Sequence, residues 1–166
     1  MKRQGDNRII FLSLKVGFLA VLLFLIPTSS EGIADYSPGL VDLTNQARIN
    51  FGLPSLAMND KLQQAAQLKL ADMFDHNYFD HISPWGKSPW HFLEKVGYPY
   101  AKAGENLAMD YVDLTEAHDA WMQSPSHRKL ILSPEYQEIG IAYQKGKIDG
   151  RDSILVVALF ADPQNI

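Results

Sequence analysis

Three stretches of the chain combine ionisable side chains with turn-forming residues, and they hold the groups most suited to chemistry. The first runs from His76 to Gly86 and contains His81, the second contains Glu105, and the third contains His127. Each of these groups lies close to apolar segments, where a buried and unpaired charge is costly. We therefore expect His81, Glu105 and His127 to be one another's partners in a single site.

Two histidines and a carboxylate suggest a divalent metal such as Zn²⁺, because neutral imidazole is its commonest side-chain ligand. On this hypothesis His81 and His127 ligate the metal, and Glu105 is either a third ligand or the acceptor that fixes a histidine tautomer. Two histidines alone make a weak, open site. The alternative is that each histidine is a loop residue bonded to the backbone, since no sequence-local metal motif joins them.

A catalytic nucleophile is harder to find in the sequence. Ser83, Ser124 and Ser126 lie near histidines, but none is in a Gly-x-Ser-x-Gly turn. Binding is therefore favoured over catalysis. If the protein is an enzyme, the same residues favour a metal-assisted hydrolase in which Glu105 acts as general base. A third hypothesis is a structural interaction domain without a chemical site.

Composition limits the class of partner. The chain has 166 residues, a formal net charge of −4 and no cysteine. This length suits one globular domain with a short appendage. An acidic chain is poorly suited to nucleic acid, whose affinity comes chiefly from neutralising phosphates with Lys and Arg. We therefore expect no nucleic-acid partner, and no disulfide takes part in the fold.

The N-terminus is predicted to be a targeting element, residues 1–34, followed by a folded domain, residues 35–166. A basic start leads into an apolar run over residues 9–26, and a small residue at Ala34 suits cleavage of a signal peptide. Uncleaved, the run is at the short end of the ~17–25 residues that span a bilayer. Both interpretations place the domain outside the cytoplasm or on the outer face of its membrane. Membrane contact is expected only through residues 9–26, if they are retained.

Apolar spacing predicts four amphipathic helices and a short helical turn that carries His127. His76 is expected at the end of the second helix, whereas His91 and His118 are expected on helix surfaces. Capping residues and glycines set the helix bounds. The four helices are predicted to begin at Ser37, at Asn59 or Asp60, at Ser88 and at Asp113, and to end at Gly52, just before His76, at Gly97 and at Ser124.

The character of the chain changes after Pro134, where strands are predicted. Ile139–Tyr143 and Ile154–Phe160 are rich in β-branched and aromatic residues, and a polar segment joins them as a hairpin. The second strand is apolar on consecutive residues, so we expect helices on both faces of the sheet. Leu107–Met109 is a candidate third strand.

The order of short motifs along the chain resembles the CAP superfamily, which comprises the cysteine-rich secretory, venom-antigen and pathogenesis-related proteins. The likeness is greatest to its cysteine-free, secreted bacterial branch, and it extends from Ser37 to Asp162. The motifs are Val41-x-Leu43-x-Asn45-Gln46-x-Arg48, Gly52-Leu53-Pro54, Asp80-His81-x-Ser83-Pro84, Gly104-Glu105-Asn106-Leu107-Ala108, Trp121-Met122-x-Ser124-Pro125-x-His127-Arg128 and Glu138-Ile139-Gly140-Ile141-Ala142.

The resemblance implies an α+β fold, an α-β-α sandwich with a small three-stranded antiparallel sheet between helical layers. It also implies a cleft of two histidines and two glutamates that can hold a divalent metal. His81, Glu105 and His127 match three of these four positions, and Ser124 stands where the second glutamate is expected. A hydroxyl ligates zinc poorly, so we expect weak metal binding. Members elsewhere in the superfamily are associated with sterols or lipids, which implies a small apolar ligand or an envelope component.

Overall fold

The computed structural model describes residues 37–164, and the predicted targeting element, residues 1–34, lies outside this range. No helix within residues 37–164 is long and apolar enough to cross a bilayer. The helices of this part of the chain are α1 (Ser37–Asn50), α2 (Asp60–Asp75), α3 (Trp90–Lys95), α4 (Leu114–Gln123) and α5 (Pro125–Ile131), and its strands are β1 (Ala57–Met58), β2 (Tyr100–Met109), β3 (Glu138–Ile148) and β4 (Arg151–Pro163).

α2 and α4 begin where the capping residues indicated, whereas α3 begins at Trp90, two residues after the predicted Ser88, and has no side-chain cap. The side chain of Asn59 accepts hydrogen bonds from the first backbone amides of α2, and Asp113 accepts one from Thr115 at the start of α4. Such caps satisfy amides that have no partner inside the helix. Gly52, with φ +72°, follows the end of α1 in the left-handed conformation that glycine adopts without strain. The four predicted amphipathic helices are therefore present.

The sheet has four strands in the order β1-β3-β4-β2. β3 and β4 form the predicted antiparallel hairpin, which turns at Asp149 and Gly150, both with positive φ. β2 pairs antiparallel with the other side of β4, whereas β1 pairs parallel with β3. The prediction of three antiparallel strands was therefore wrong in detail. β1 has two residues, too few to show a period of two in the sequence.

β4 separates two hydrophobic cores. Leu155, Val157 and Leu159 pack with residues of α2 and α3, whereas Val156 and Phe160 pack with residues of α1, α4 and α5. Successive side chains of a strand point to opposite faces, which explains why an unbroken apolar run serves both cores. The expectation of helices on both faces of the sheet is confirmed.

α2 packs directly on β3 at Gly140. A Cβ atom there would lie 2.2 Å from the backbone nitrogen of Gln63 and 2.2 Å from the carbonyl carbon of Leu62. Because backbone cannot move aside as a side chain can, only glycine permits this contact. The first turn of α2 is thus fixed against the sheet.

One histidine lies where the sequence prediction did not put it. His118 was expected on the surface of α4, but it is 6% exposed, whereas His91 is exposed as expected. His118 precedes the buried Trp121 by three residues, so both side chains lie on the core face of α4. Its Nε2 is buried without a hydrogen-bond partner among residues 37–164.

Candidate functional site

His81 lies in the loop between α2 and α3, and a compact turn gives this loop its shape. The amide of Lys87 donates to the hydroxyl of Ser83 at 3.0 Å, and the amide of Ser83 donates to the carbonyl of Lys87 at 2.9 Å. Gly86, with φ +79°, donates to the Ser83 carbonyl inside this turn. The Pro-x-Gly sequence thus forms a closed turn directly after the histidine.

Glu105 lies in β2, and its carboxylate contacts the imidazole of His81. His81 Nδ1 lies 2.6 Å from Glu105 Oε1, and the side chains are 51% and 2% exposed respectively. Nδ1–H donates a hydrogen bond to Glu105, so Nε2 is the ring nitrogen left for other contacts. The pair therefore joins a buried carboxylate to a half-exposed imidazole.

The two partners of this pair change each other's acidity. The hydrogen bond to Glu105 raises the pKa of His81 above its usual value. Burial raises the pKa of Glu105, although the bond to His81 and the charge of Lys69 oppose that rise. Groups with perturbed pKa values in a groove are typical of functional sites, though structural ion pairs also produce them.

His127 is close to this pair but does not line the same groove. It lies on α5, is half-buried, and its backbone carbonyl accepts a hydrogen bond of 3.2 Å from Asn106 Nδ2. Burial, together with the charge of His81, lowers its pKa. Ser124 precedes α5, and its hydroxyl lies 3.2 Å from the hydroxyl of Ser126. Of the four predicted cleft residues, the structure therefore joins His81 to Glu105, whereas neither His127 nor Ser124 lines the groove that this pair lines.

The groove above the His81–Glu105 pair has a volume of about 330 Å³. Gly104 forms part of its floor, and a Cβ atom there would lie 2.7 Å from the Tyr136 hydroxyl and 3.0 Å from Leu130 Cδ2. The lining is mainly apolar and consists of His81, Ile82, Pro89, Trp90, Ala103, Gly104, Glu105 and Leu130.

Larger grooves elsewhere on the described residues contain no comparable buried polar pair. One, of about 620 Å³, lies along α4, α5 and residues 132–135. Another, of about 680 Å³, lies at the hairpin and includes the ion pair of Lys147 with Asp152. Those two side chains are 66% and 90% exposed, and exposed pairs contribute little to binding or stability. A buried carboxylate bonded to an imidazole distinguishes the smaller groove.

The residues present do not form a metal site of three ligands. Within residues 37–164, no three His, Asp or Glu side chains are grouped so that they could hold an ion. Glu105 is hydrogen-bonded to His81 Nδ1. Its carboxylate therefore has the role of orienting the imidazole and not the role of a metal ligand. Zinc binding by His81 and His127 therefore stays a prediction.

Sequence reasoning missed a polar network behind the pair. Lys69 is fully buried and donates to the carbonyls of Asp80 and His81 at 2.7 and 3.1 Å. It also donates to the hydroxyl of Tyr78, which donates in turn to Asp72 at 2.6 Å. The sequence held one signal of this burial, because Lys69 lies three residues after one buried position of α2 and four before another.

The fold and the site identify the family. Residues 41–160 match the model described as CAP: Cysteine-rich secretory protein family, and the chain belongs to that family. The resemblance noted from the motifs is thereby confirmed. The absence of cysteine agrees with its bacterial, cysteine-free branch.

The relatives include two proteins of Bacillus subtilis. The uncharacterized protein YkwD is 39% identical over 116 residues, which cover 70% of this chain and 45% of that protein. The uncharacterized membrane protein YlbC is 34% identical over 106 residues, which cover 64% of this chain and 31% of that protein. This chain therefore spans less than half the length of either relative.

Solved structures share the fold. An extracellular protein containing a SCP domain from Bacillus anthracis superimposes with a TM-score of 0.65 at 30% identity, covering 75% of this chain and 39% of that one. An outer surface protein from Borrelia burgdorferi gives a TM-score of 0.66 at 21% identity, covering 76% of this chain and 92% of that one. The second likeness shows the fold alone.

Proposed function

We propose that this chain acts outside the cytoplasm, either secreted or tethered to the outer face of the membrane, and binds a small apolar ligand or an envelope component in the His81–Glu105 groove. The location is supported by two relatives, since one Bacillus protein is described as extracellular and another as a membrane protein. The predicted targeting element over residues 1–34 points the same way.

The observation that carries the proposal is one hydrogen-bonded polar pair, His81 with Glu105, in an otherwise apolar groove. Ile82, Trp90 and Leu130 offer apolar surface, while His81 presents a half-exposed imidazole at the same opening. Ligand pockets commonly combine apolar walls with a few fixed polar groups and measure about 300–1,000 Å³. A ligand with an apolar body and one hydrogen-bonding group fits this arrangement.

The alternative is a hydrolase in which Glu105 serves as general base. Its raised pKa is a property that such bases share. However, Oε1 is bonded to His81, and Oε2 is buried without a hydrogen-bond partner in the described part of the chain. A base must reach the proton that it removes, so the geometry favours binding over hydrolysis.

An NMR titration tests the proposal with three probes: a medium-chain fatty acid, a sterol and soluble peptidoglycan fragments. We expect at least one probe to shift the amides that line the groove, near Ile82, Trp90 and Glu105, and His81→Ala to abolish those shifts. Lys147→Ala, at the hairpin groove, is the matched control and should change nothing. Shifts confined to other surfaces, or unaffected by His81→Ala, would contradict the proposal.

A further inference from the structure

Lys69 is a buried cation whose three N–H groups all donate hydrogen bonds to one loop. Its Nζ donates to the carbonyls of Asp80 and His81 and to the hydroxyl of Tyr78. The Tyr78 ring also lies beneath the ammonium, 4.7 Å from Nζ to the ring centroid. All three acceptors belong to the loop that carries His81. Lys69 thus connects the middle of α2 to the histidine loop.

The positive charge of Lys69 also faces the buried carboxylate of Glu105. The two charges attract each other, although every N–H of Lys69 is directed elsewhere. Glu105 Oε2 has no hydrogen-bond partner within residues 37–164, so charge, and not a hydrogen bond, compensates this end of the carboxylate. Buried charges persist in proteins when an opposite charge and hydrogen bonds offset their loss of hydration.

Asp72 of α2 also holds this loop, but through residues other than His81. Tyr78 donates to Asp72 Oδ2 at 2.6 Å, and Lys87 Nζ lies 3.2 Å from Asp72 Oδ1. Burial raises the pKa of Asp72, but the hydrogen bonds from Tyr78 and Lys87 outweigh this effect and lower it overall. α2 therefore contacts the loop at Tyr78 and at Lys87 through Asp72, and Lys69 is the residue that binds the backbone of His81 itself.

We propose that Lys69 is the positioning residue of this site. By binding the carbonyls of Asp80 and His81, it sets where the imidazole stands, and by its charge it holds the facing Glu105 carboxylate in place for the 2.6 Å hydrogen bond. The inference concerns the free protein and rests on the proposed function only for its consequence, namely that ligand binding depends on Lys69.

The first test is Lys69→Met, which keeps the length of the side chain and removes its charge and donors. Amide hydrogen exchange is measured in residues 80–87 and in β3 and β4. We expect exchange in the loop to accelerate at least about tenfold relative to the strands, the effect of losing hydrogen bonds to a charged group. The NMR signal of the His81 Nδ1 proton should move or broaden as the bond to Glu105 loosens.

Leu70→Ala is the matched control, because Leu70 is buried next to Lys69 on α2 but belongs to the hydrophobic core. It should lower global stability and leave the His81 signal and the relative exchange of the loop unchanged. If Leu70→Ala reproduces the loop effect, or Lys69→Met leaves loop and imidazole unchanged, then Lys69 is an ordinary structural residue and the inference is wrong.

The double variant Lys69→Met with Glu105→Gln decides the question if Lys69→Met does not fold. Lys69→Met leaves the negative charge of Glu105 buried without a compensating cation, and Glu105→Gln removes that charge. We therefore expect the double variant to recover the cooperative unfolding that the single variant lost, and failure to recover it overturns the inference. All of these measurements are made on the free protein. Absence of ligand binding would therefore count against the proposed function and leave the role of Lys69 standing.

Discussion

Two buried cations, one on each side of the sheet, hold the molecule together in different ways. Arg48 of α1 and Lys69 of α2 are both fully buried. Arg48 donates to the carbonyls of Pro54, Ile131 and Ser133 at 2.8 Å each and to that of Tyr136 at 3.3 Å. These acceptors are all backbone, so Arg48 ties α1 to the end of α5 and to the approach to β3.

Lys69 differs from Arg48 in what it faces. Two of its acceptors are backbone carbonyls of the histidine loop, and its charge is offset by the carboxylates of Glu105 and Asp72. A planar guanidinium reaches several fixed carbonyls at once, whereas an ammonium acts as a compact point charge. Arg48 therefore serves the fold, and Lys69 serves the placement of the site.

The largest expected effect follows from removing the guanidinium group of Arg48. Arg48→Met leaves four backbone carbonyls without their donor, two in buried and two in partly buried contacts, and each unsatisfied buried group costs about 1–3 kcal/mol. We expect the free energy of unfolding, measured in urea, to fall by at least about 3 kcal/mol. Arg48→Lys should restore part of this loss, because one ammonium cannot reach all four acceptors. A loss below about 1 kcal/mol would mean that the carbonyls find water or other partners.

The contrast between the two cations also shows what the sequence could predict. Helix ends and the hairpin were predictable, because Asn59, Asp113 and the apolar run of β4 act through neighbours in sequence. The carbonyls that Arg48 binds lie up to 88 residues away in the sequence, and no local sequence pattern predicts these contacts. The likeness to a family indicated the pair of His81 with Glu105 as site residues, but not that Lys69 stands behind them.

Two histidines, one in each layer, should affect stability with opposite signs as pH changes. Burial lowers the pKa of His118, so the unfolded chain binds a proton first as pH falls through about 6.5, and the folded state loses stability. Glu105 raises the pKa of His81, so its contribution is complete below the unfolded pKa and is lost as pH rises through the folded pKa.

His118→Gln should therefore flatten the acid side of the stability profile by on the order of 1 kcal/mol between about pH 7 and pH 5. The quantity to measure is the difference in unfolding free energy between the two pH values, and not either value alone. His91→Gln is the matched control, because His91 is an exposed histidine. An equal change in both variants would show that burial of His118 does not set this dependence.

Zinc should have the smallest effect, since His81 and His127 offer two imidazoles and Glu105 is already bonded. We expect weak binding by calorimetry at about pH 7.5 and a loss of affinity of about tenfold or more at about pH 5.5, because both rings must be deprotonated to ligate. His127→Ala should weaken binding further. Equal affinity at both pH values, or no change in the variant, would mean that these histidines are not metal ligands.

The hydrogen bond between His81 and Glu105 is tested most directly by nitrogen-15 NMR of the histidine rings during a pH titration. We predict that neutral His81 carries its proton on Nδ1, that it titrates above the usual value of about 6.5, and that Glu105→Gln moves its pKa down towards that value. A neutral ring protonated on Nε2, with a pKa that Glu105→Gln leaves unchanged, would contradict the geometry on which the proposed site depends.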